Sequence, residues 1–208
     1  MEFDSVLARR KMCRSFSEAP LSEQDREALY LAGTRGPSAG YSQGTEYLVL
    51  LDRGDIDDFW EIHSEATWRE KNPDHEAVRA APMIMIPLAN PMAYLRRYSQ
   101  ADKSSSGLSR LENWPVPYWL TDAASSTMLI LLKAVDLNLG ALFFGIFRNE
   151  DRIRDRFLIP EHLDLLGALA IGHPKEASRP RSPSVVPKRS VASHYHFSTF
   201  PNLKGYSK

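Results

Sequence analysis

The chain has 208 residues, 43% of them hydrophobic and 25% charged, a balance that excludes disordered and fibrous classes and fits one large domain. Lys and Arg number 26, as do Asp and Glu, so no overall field exists to hold a nucleic-acid backbone or an anionic membrane, and a local basic cluster needs a local explanation. Cys13 is the only cysteine, which excludes an intrachain disulfide and a thiolate metal cluster.

The opening residues, Met1 to Ser5, are acidic and lack an apolar signal core. Asp4 is placed to cap a first helix through Lys11, with Val6, Leu7 and the Arg10 stem on its apolar side. Ser22 starts a second helix, with Asp25 placed as in a capping box, and Gly33 and Gly36-Pro37 end it. Tyr47 to Leu51 reads as a buried strand, followed by an amphipathic helix from Asp55 to about His63. Met83 to Leu88 is a second strand; Pro87 lacks an N–H and belongs at a bulge or an edge. Pro91 opens a helix through Arg97. The polar stretch from Ala101 to Pro117 is long for a plain connection, the mark of a functional lid, and it ends in the aromatic run Trp114 to Trp119.

Thr121 is placed to cap the most apolar helix, running to about Leu137; apolar nearly all round, it calls for a core position or a subunit interface. Its run Met128 to Leu132 stops at Lys133, far short of a membrane span, so a soluble cytoplasmic protein is expected. Ala141 to Phe147 is extended, Asn149 caps a charged helix to Phe157, and Leu165 to Ile171 is a third strong strand ending at Gly172. From His173 onward Pro174, Pro180, Pro183 and Pro187 exclude regular structure, yet Tyr195, Phe197, Phe200 and Tyr206 call for a packed arm rather than a loose tail. Helices and strands mix without regular βαβ alternation and without internal repeats, which predicts an α+β fold.

Two early stretches carry most of the chemistry. Arg10-Lys11-Met12-Cys13-Arg14-Ser15-Phe16 is a cationic cluster at a helix end, suited either to complementing the helix dipole in solvent or to holding a phosphate, since guanidinium donates bidentately. Gly36-Pro37-Ser38-Ala39-Gly40-Tyr41-Ser42-Gln43 is a turn of small, hydroxyl and amide groups leading into a strand. With the segment Leu139 to Phe147 and the late cations Lys188 and Arg189, these stretches resemble the nitroreductase family over nearly the whole chain. Its opening motif has the form Arg-Arg-Ser-x-Arg-x-Phe, its turn Pro-Ser-x-x-Asn-x-Gln-Pro, and its later segment Gly-Leu-Gly-Ser-x-Trp-x-Gly-Gly-Phe. Met12, Tyr41 and Gly44 depart from the usual Ser, Asn and Pro, and Asn138 stands at the first Gly of the third motif.

The resemblance implies one nitroreductase-like domain over 1–208: a central mixed or antiparallel sheet flanked by helices, with residues 173–208 as an arm onto the partner of a homodimer. It implies FMN as cofactor, bound by Arg10, Lys11, Met12, Arg14, Pro37, Ser38, Ala39, Tyr41, Gln43, Phe144, Gly145, Lys188 and Arg189. Arg10 then pairs with the phosphate, Lys11 and Arg14 lie nearer the ribityl chain and pyrimidine edge, and Lys188 or Arg189 completes the phosphate site. The turn reaches the partner's flavin, and a backbone N–H at Phe144 or Gly145 points at flavin N5. Tyr41, Trp114, Tyr118 and Trp119 are candidates to wall a substrate pocket, although core aromatics read the same way. The implied activity is ping-pong hydride transfer from NADH or NADPH to a nitroaromatic, a quinone or a similar acceptor, with no dedicated acid or base. Two alternatives stay open: a flavin-sequestering protein without efficient turnover, and an F420-linked reductase or dehydrogenase of the same fold.

The remaining signals are weak. The six histidines form no HExxH pair, Asp55, Asp57 and Asp58 lack the rest of a calcium loop, and no nucleophile elbow, P-loop or Rossmann glycine triplet occurs. Cys13 reads as a packing residue.

Overall fold

Alternation along Met83–Ala89 organises the structure. Met83 and Met85 point to one side, Ile84, Ile86 and Leu88 to the other, and every residue of the strand is buried. A strand buried on both faces needs cover on both faces, and helices supply it.

The computed structural model describes residues 1–64, 69–70, 72, 75–175 and 186–199. The chain divides into two units, Met1–Ser178 and Arg179–Lys208. Among the described residues the first contains α1 (Phe3–Arg9), α2 (Glu23–Gly33), β1 (Thr45–Leu50), α3 (Arg53–His63), α4 (His75–Arg79), β2 (Met83–Ala89), α5 (Pro91–Tyr98), α6 (Tyr118–Asp136), β3 (Gly140–Phe144), α7 (Glu150–Phe157), β4 (Asp164–Leu165) and β5 (Ala168–Gly172). The sheet is antiparallel in the order β1-β2-β5-β3, with β4 paired to β2.

On one face, Ile84, Ile86, Leu142 and Ala170 pack with Ile56, Phe59 and Trp60 of α3 and Ile153 of α7. On the other, Met83, Met85, Ala141, Leu169 and Ile171 pack with Leu29 of α2 and Ile130, Leu131 and Ala134 of α6. Burial of a side chain such as Ile84 or Ile130 is worth about 1.5–3 kcal/mol. A third cluster joins Ala89, Tyr94, Trp114, Trp119 and Ala123 at the end of β2.

Ser22 caps α2 as read from the sequence, its Oγ accepting from the Asp25 N–H at 3.0 Å. Pro87 lies within a central strand, where Leu166 and Gly167 interrupt the neighbouring ladder, so its missing N–H deprives no partner. The same interruption divides the expected strand from Leu165 to Ile171 into β4 and β5. Four details differ from expectation. Helix α1 ends at Arg9 rather than Lys11, and Glu2, not Asp4, stands at its N-cap. Helix α6 starts at Tyr118, so Thr121 lies inside it and donates back to the Tyr118 carbonyl. Asn149 occupies the N-cap of α7 but sends its amide to the Ile62 carbonyl, 2.8 Å away. Helix α6 is also less enclosed than its composition suggests, since Met128 remains 44% exposed.

In the second unit, Val191–His194 form a 3-10 turn after Ser190, and Arg189 donates to the Ser193 carbonyl. Tyr195 and Phe197 are exposed. Pro180, Pro183, Phe200 and Tyr206 lie outside the described residues.

Candidate functional site

The basic segment leaves α1 at Arg10 and runs along the outer edge of β3. The Cys13 N–H donates to the Ala141 carbonyl at 2.9 Å, the Phe16 N–H to Ala77, the Ser17 N–H to His173, and the Lys175 N–H returns to Ser15. The segment thus covers an otherwise open strand edge and fixes its cations beside β3. Arg10 and Arg14 are half-buried and Lys11 is exposed. Among the described residues neither the Arg10 nor the Lys11 side chain has a hydrogen-bond or ion-pair partner. Met12 packs against both sheet-face clusters, which explains an apolar residue where the family has Ser. Cys13 is buried, donates weakly to the Ser15 carbonyl, and burial pushes its thiol pKa up; it packs, as its sequence context suggested.

Tight folding of the turn 36–44 makes it a second, separate constellation. Gly40, Tyr41 and Gln43 all have positive φ, at 61°, 58° and 50°. For Tyr and Gln this is an uncommon conformation that surrounding structure must enforce. Asp122 provides one restraint: buried in α6, it accepts from the Ala39 N–H at 2.8 Å and from the Tyr94 hydroxyl at 2.7 Å. Arg97 provides another, its Nε donating to the Gly40 carbonyl at 2.8 Å while its fork grips Asp102 at 2.7 and 2.8 Å. Ser38 accepts the Gln43 N–H at 3.0 Å, so it builds the turn. Pro37, Tyr41 and Gln43 are presented outward, with Tyr41 77% exposed. Burial, reinforced by the Asp122 carboxylate, pushes the Tyr94 phenol pKa up, so it stays a donor at any working pH.

Beyond β3, the Phe144 ring stacks on Trp60 at 5.2 Å and meets Phe59 and His63 edge-on. The Gly145 carbonyl lies 3.2 Å from His63 Nε2. Trp114 and Trp119 are buried among Tyr94 and Tyr98, with their indole N–H groups satisfied by Leu108 and Asp164. Tyr118 is 42% exposed at the rim of that cluster. Lys188 and Arg189 are exposed in the second unit.

The structure therefore brings Arg10–Arg14 to β3, and separately gathers the turn with Trp114, Tyr118 and Trp119. Among the described residues no side-chain hydrogen bond or ion pair links Arg10 or Lys11 to the turn, and the Gly145 carbonyl faces His63 instead. Sequence reasoning missed Asp122, Arg97 and His63. An acid inside an otherwise apolar helix was the available signal for Asp122, because a buried carboxylate needs donors. Nothing local singled out Arg97 or His63.

Residues 7–173 match the family described as the Nitroreductase family, and the chain belongs to it. A "Putative NADH dehydrogenase/NAD(P)H nitroreductase" of Archaeoglobus fulgidus is 26% identical over 80% of this chain and 82% of the relative. Among solved structures, nitroreductase CinD from Lactococcus lactis in complex with chloramphenicol is similar in fold, with a TM-score of 0.73, 15% identity and coverage of 95% and 100%. So is a Desulfovibrio desulfuricans protein in complex with FMN, with a TM-score of 0.68, 19% identity and coverage of 97% and 99%.

Proposed function

We propose that this chain is an FMN-dependent oxidoreductase that works as a homodimer, drawing hydride from NADH or NADPH and passing it to an electron-poor acceptor such as a nitroaromatic or a quinone. The observation that carries the reading is the unpartnered pair Arg10 and Lys11, held beside β3 in a chain whose formal charges cancel. Such cations fit a phosphate and an electron-rich ring edge, so the residues present suit FMN. The name of the Archaeoglobus relative and the FMN complex of the Desulfovibrio protein support the same cofactor and donor class.

Bound FMN supplies hydride transfer at N5; the protein binds it, orients it and tunes its potential. Arg10 holds the phosphate. Lys11 and Arg14 place positive charge toward the ring's pyrimidine edge, which favours the electron-rich reduced form. The outward faces of Pro37, Tyr41 and Gln43, with the Ala39 backbone, meet the ring of the opposite subunit. Separate placement of Arg10 with Lys11 at a strand edge and of the turn beside α6 suits a pocket shared between subunits. Exposed apolar residues on neighbouring helices, Leu7 of α1, Leu31 of α2 and Met128 of α6, offer a contact face for the second copy. Tyr41 and Tyr118 line the acceptor side, with Trp114 and Trp119 buttressing them from within.

The direct test is the absorption spectrum of purified protein, followed by anaerobic titration with NADH, NADPH and reduced F420. A flavin spectrum bleached by a reduced nicotinamide is expected. A colourless protein that takes up no FMN refutes the reading.

A further inference from the structure

His63 is a buried polar group that the function described so far does not use. Its Nε2 faces the Gly145 carbonyl at 3.2 Å, and a carbonyl only accepts, so the ring carries its proton on Nε2. That leaves Nδ1 as a lone pair, and Nδ1 is buried with no partner. A buried unsatisfied nitrogen is costly and calls for an explanation. Burial also lowers the His63 pKa, which keeps the ring neutral and the tautomer defined. Phe59 stacks on the ring at 5.5 Å, while Trp60 and Phe144 close it edge-on at 5.5 and 5.1 Å. Nδ1 is out of solvent and Nε2 is engaged by the Gly145 carbonyl, so both nitrogens are committed inside the fold. The remaining role is mechanical.

The geometry points to His63 as a positioning residue that fixes the peptide planes at Gly145, and this rests on the flavin reading above. Gly145 follows the last residue of β3 and has no Cβ to restrict its ψ. Its carbonyl is instead held by His63, and the Phe147 ring lies where a Cβ would stand, with atoms 2.3 to 2.8 Å from that point. Four residues on, Asn149 Nδ2 donates to the Ile62 carbonyl at 2.8 Å, so α3 grips the segment at both ends. Holding the Gly145 carbonyl aims the Ile146 N–H, which shares its peptide plane, and restrains the Gly145 ψ that sets this plane against the one carrying the Gly145 N–H. A carbonyl that accepts a hydrogen bond also makes its own peptide N–H, that of Ile146, a better donor. The unpaired Nδ1 is the cost of forcing the Nε2–H tautomer.

Two measurements on the flavin-loaded protein test this. His63→Phe keeps a ring and loses the donor, whereas His63→Gln keeps an N–H of similar reach. His63→Phe is expected to retain FMN, to shift the visible spectrum of the bound flavin, and to slow its reduction by nicotinamide on the order of tenfold or more, while His63→Gln recovers most of the rate. A His63→Phe protein with wild-type spectrum and wild-type reduction rate overturns the proposal. Should His63→Phe fail to fold, nitrogen-15 NMR of the histidines in wild-type protein decides: Nε2–H is expected, and an Nδ1–H tautomer overturns the proposal. A wild-type protein that takes up no flavin refutes the flavin reading and this inference with it.

Discussion

Replacing Asp122 by Ala isolates what holds the turn 36–44. The carboxylate satisfies the Ala39 N–H at 2.8 Å and the Tyr94 hydroxyl at 2.7 Å, and Tyr94 is fully buried. Removing it strands both donors at about 1–3 kcal/mol each, partly relieved where water reaches Ala39, so Asp122→Ala should cost about 3 kcal/mol. For a domain of this size that corresponds to a fall in Tm of roughly 6–12 °C. Tyr94→Phe removes one donor and leaves the other bond intact, so it should cost about 1–2 kcal/mol. The double variant should be less destabilised than the sum, because the two side chains share a bond. Urea unfolding of the three variants and wild type gives the cycle. The turn also carries Tyr41, so Asp122→Ala should raise KM for aromatic acceptors more than it lowers flavin content. An Asp122→Ala protein within about 0.5 kcal/mol of wild type would show that the buried carboxylate does not bolt the turn.

Arg10→Ala should weaken FMN retention; unaltered flavin occupancy after dialysis removes Arg10 from the phosphate site. Tyr41→Gly should change stability by less than about 1 kcal/mol, since relief of the left-handed conformation offsets the added chain entropy, whereas Tyr41→Val should cost about 1–2 kcal/mol. Equal losses in both would show that packing, not backbone strain, sets the site. Gly140→Ala places a Cβ 2.6 Å from Cys13 Sγ and should cost about 2 kcal/mol, with Cys13→Ala recovering part of it in thermal melts. Asp136 is held down to about 2 by Lys133 and the N-terminal amine. Its folded pKa is depressed, so its contribution is present above the ordinary carboxylate range and lost as pH falls from about 4 to about 2. Asp136→Asn should therefore flatten that limb of the stability profile and cost under about 1 kcal/mol at neutral pH.

Elements written in consecutive residues were legible in the sequence; arrangements made between distant ones were not. Capping chemistry placed α2, the apolar runs gave β1, β2 and the core helix, and mixed element order gave the fold class. Pro87 was readable as a bulge because a missing N–H has one consequence wherever it occurs. The split of β4 from β5 was not readable, since Leu166 and Gly167 are apolar and small and interrupt nothing until Pro87 lies opposite. A hydroxyl at Thr121 favours a cap, yet the buried Trp119 before it lies within the helix, which starts at Tyr118. Met12 shows the same limit: an apolar residue in a basic motif gains its meaning only where two core faces meet. Asp122, Arg97 and His63 act across 83, 57 and 82 residues of sequence, and no local period encodes such bonds.

Charge balance sharpens the assignment of Arg10 and Lys11. Several cations elsewhere in the first unit pair with carboxylates: Arg79 with Asp57 and Glu61, Arg69 with Glu61, Arg97 with Asp102, Arg154 with Glu150, and Arg156 with Asp55 and Asp58. These pairs tie α3 to α4, α3 to α7, and α5 to the loop after it. Each has at least one exposed partner and is worth little on its own, but together they bring the acids of those helices into contact with bases. Arg10 is half-buried at the end of α1, and the Cys13–Ala141 bond holds the following backbone beside β3. A half-buried guanidinium without a protein anion is stabilised by a bound one, and its fork matches a phosphate as well as a carboxylate, so an FMN phosphate suits it.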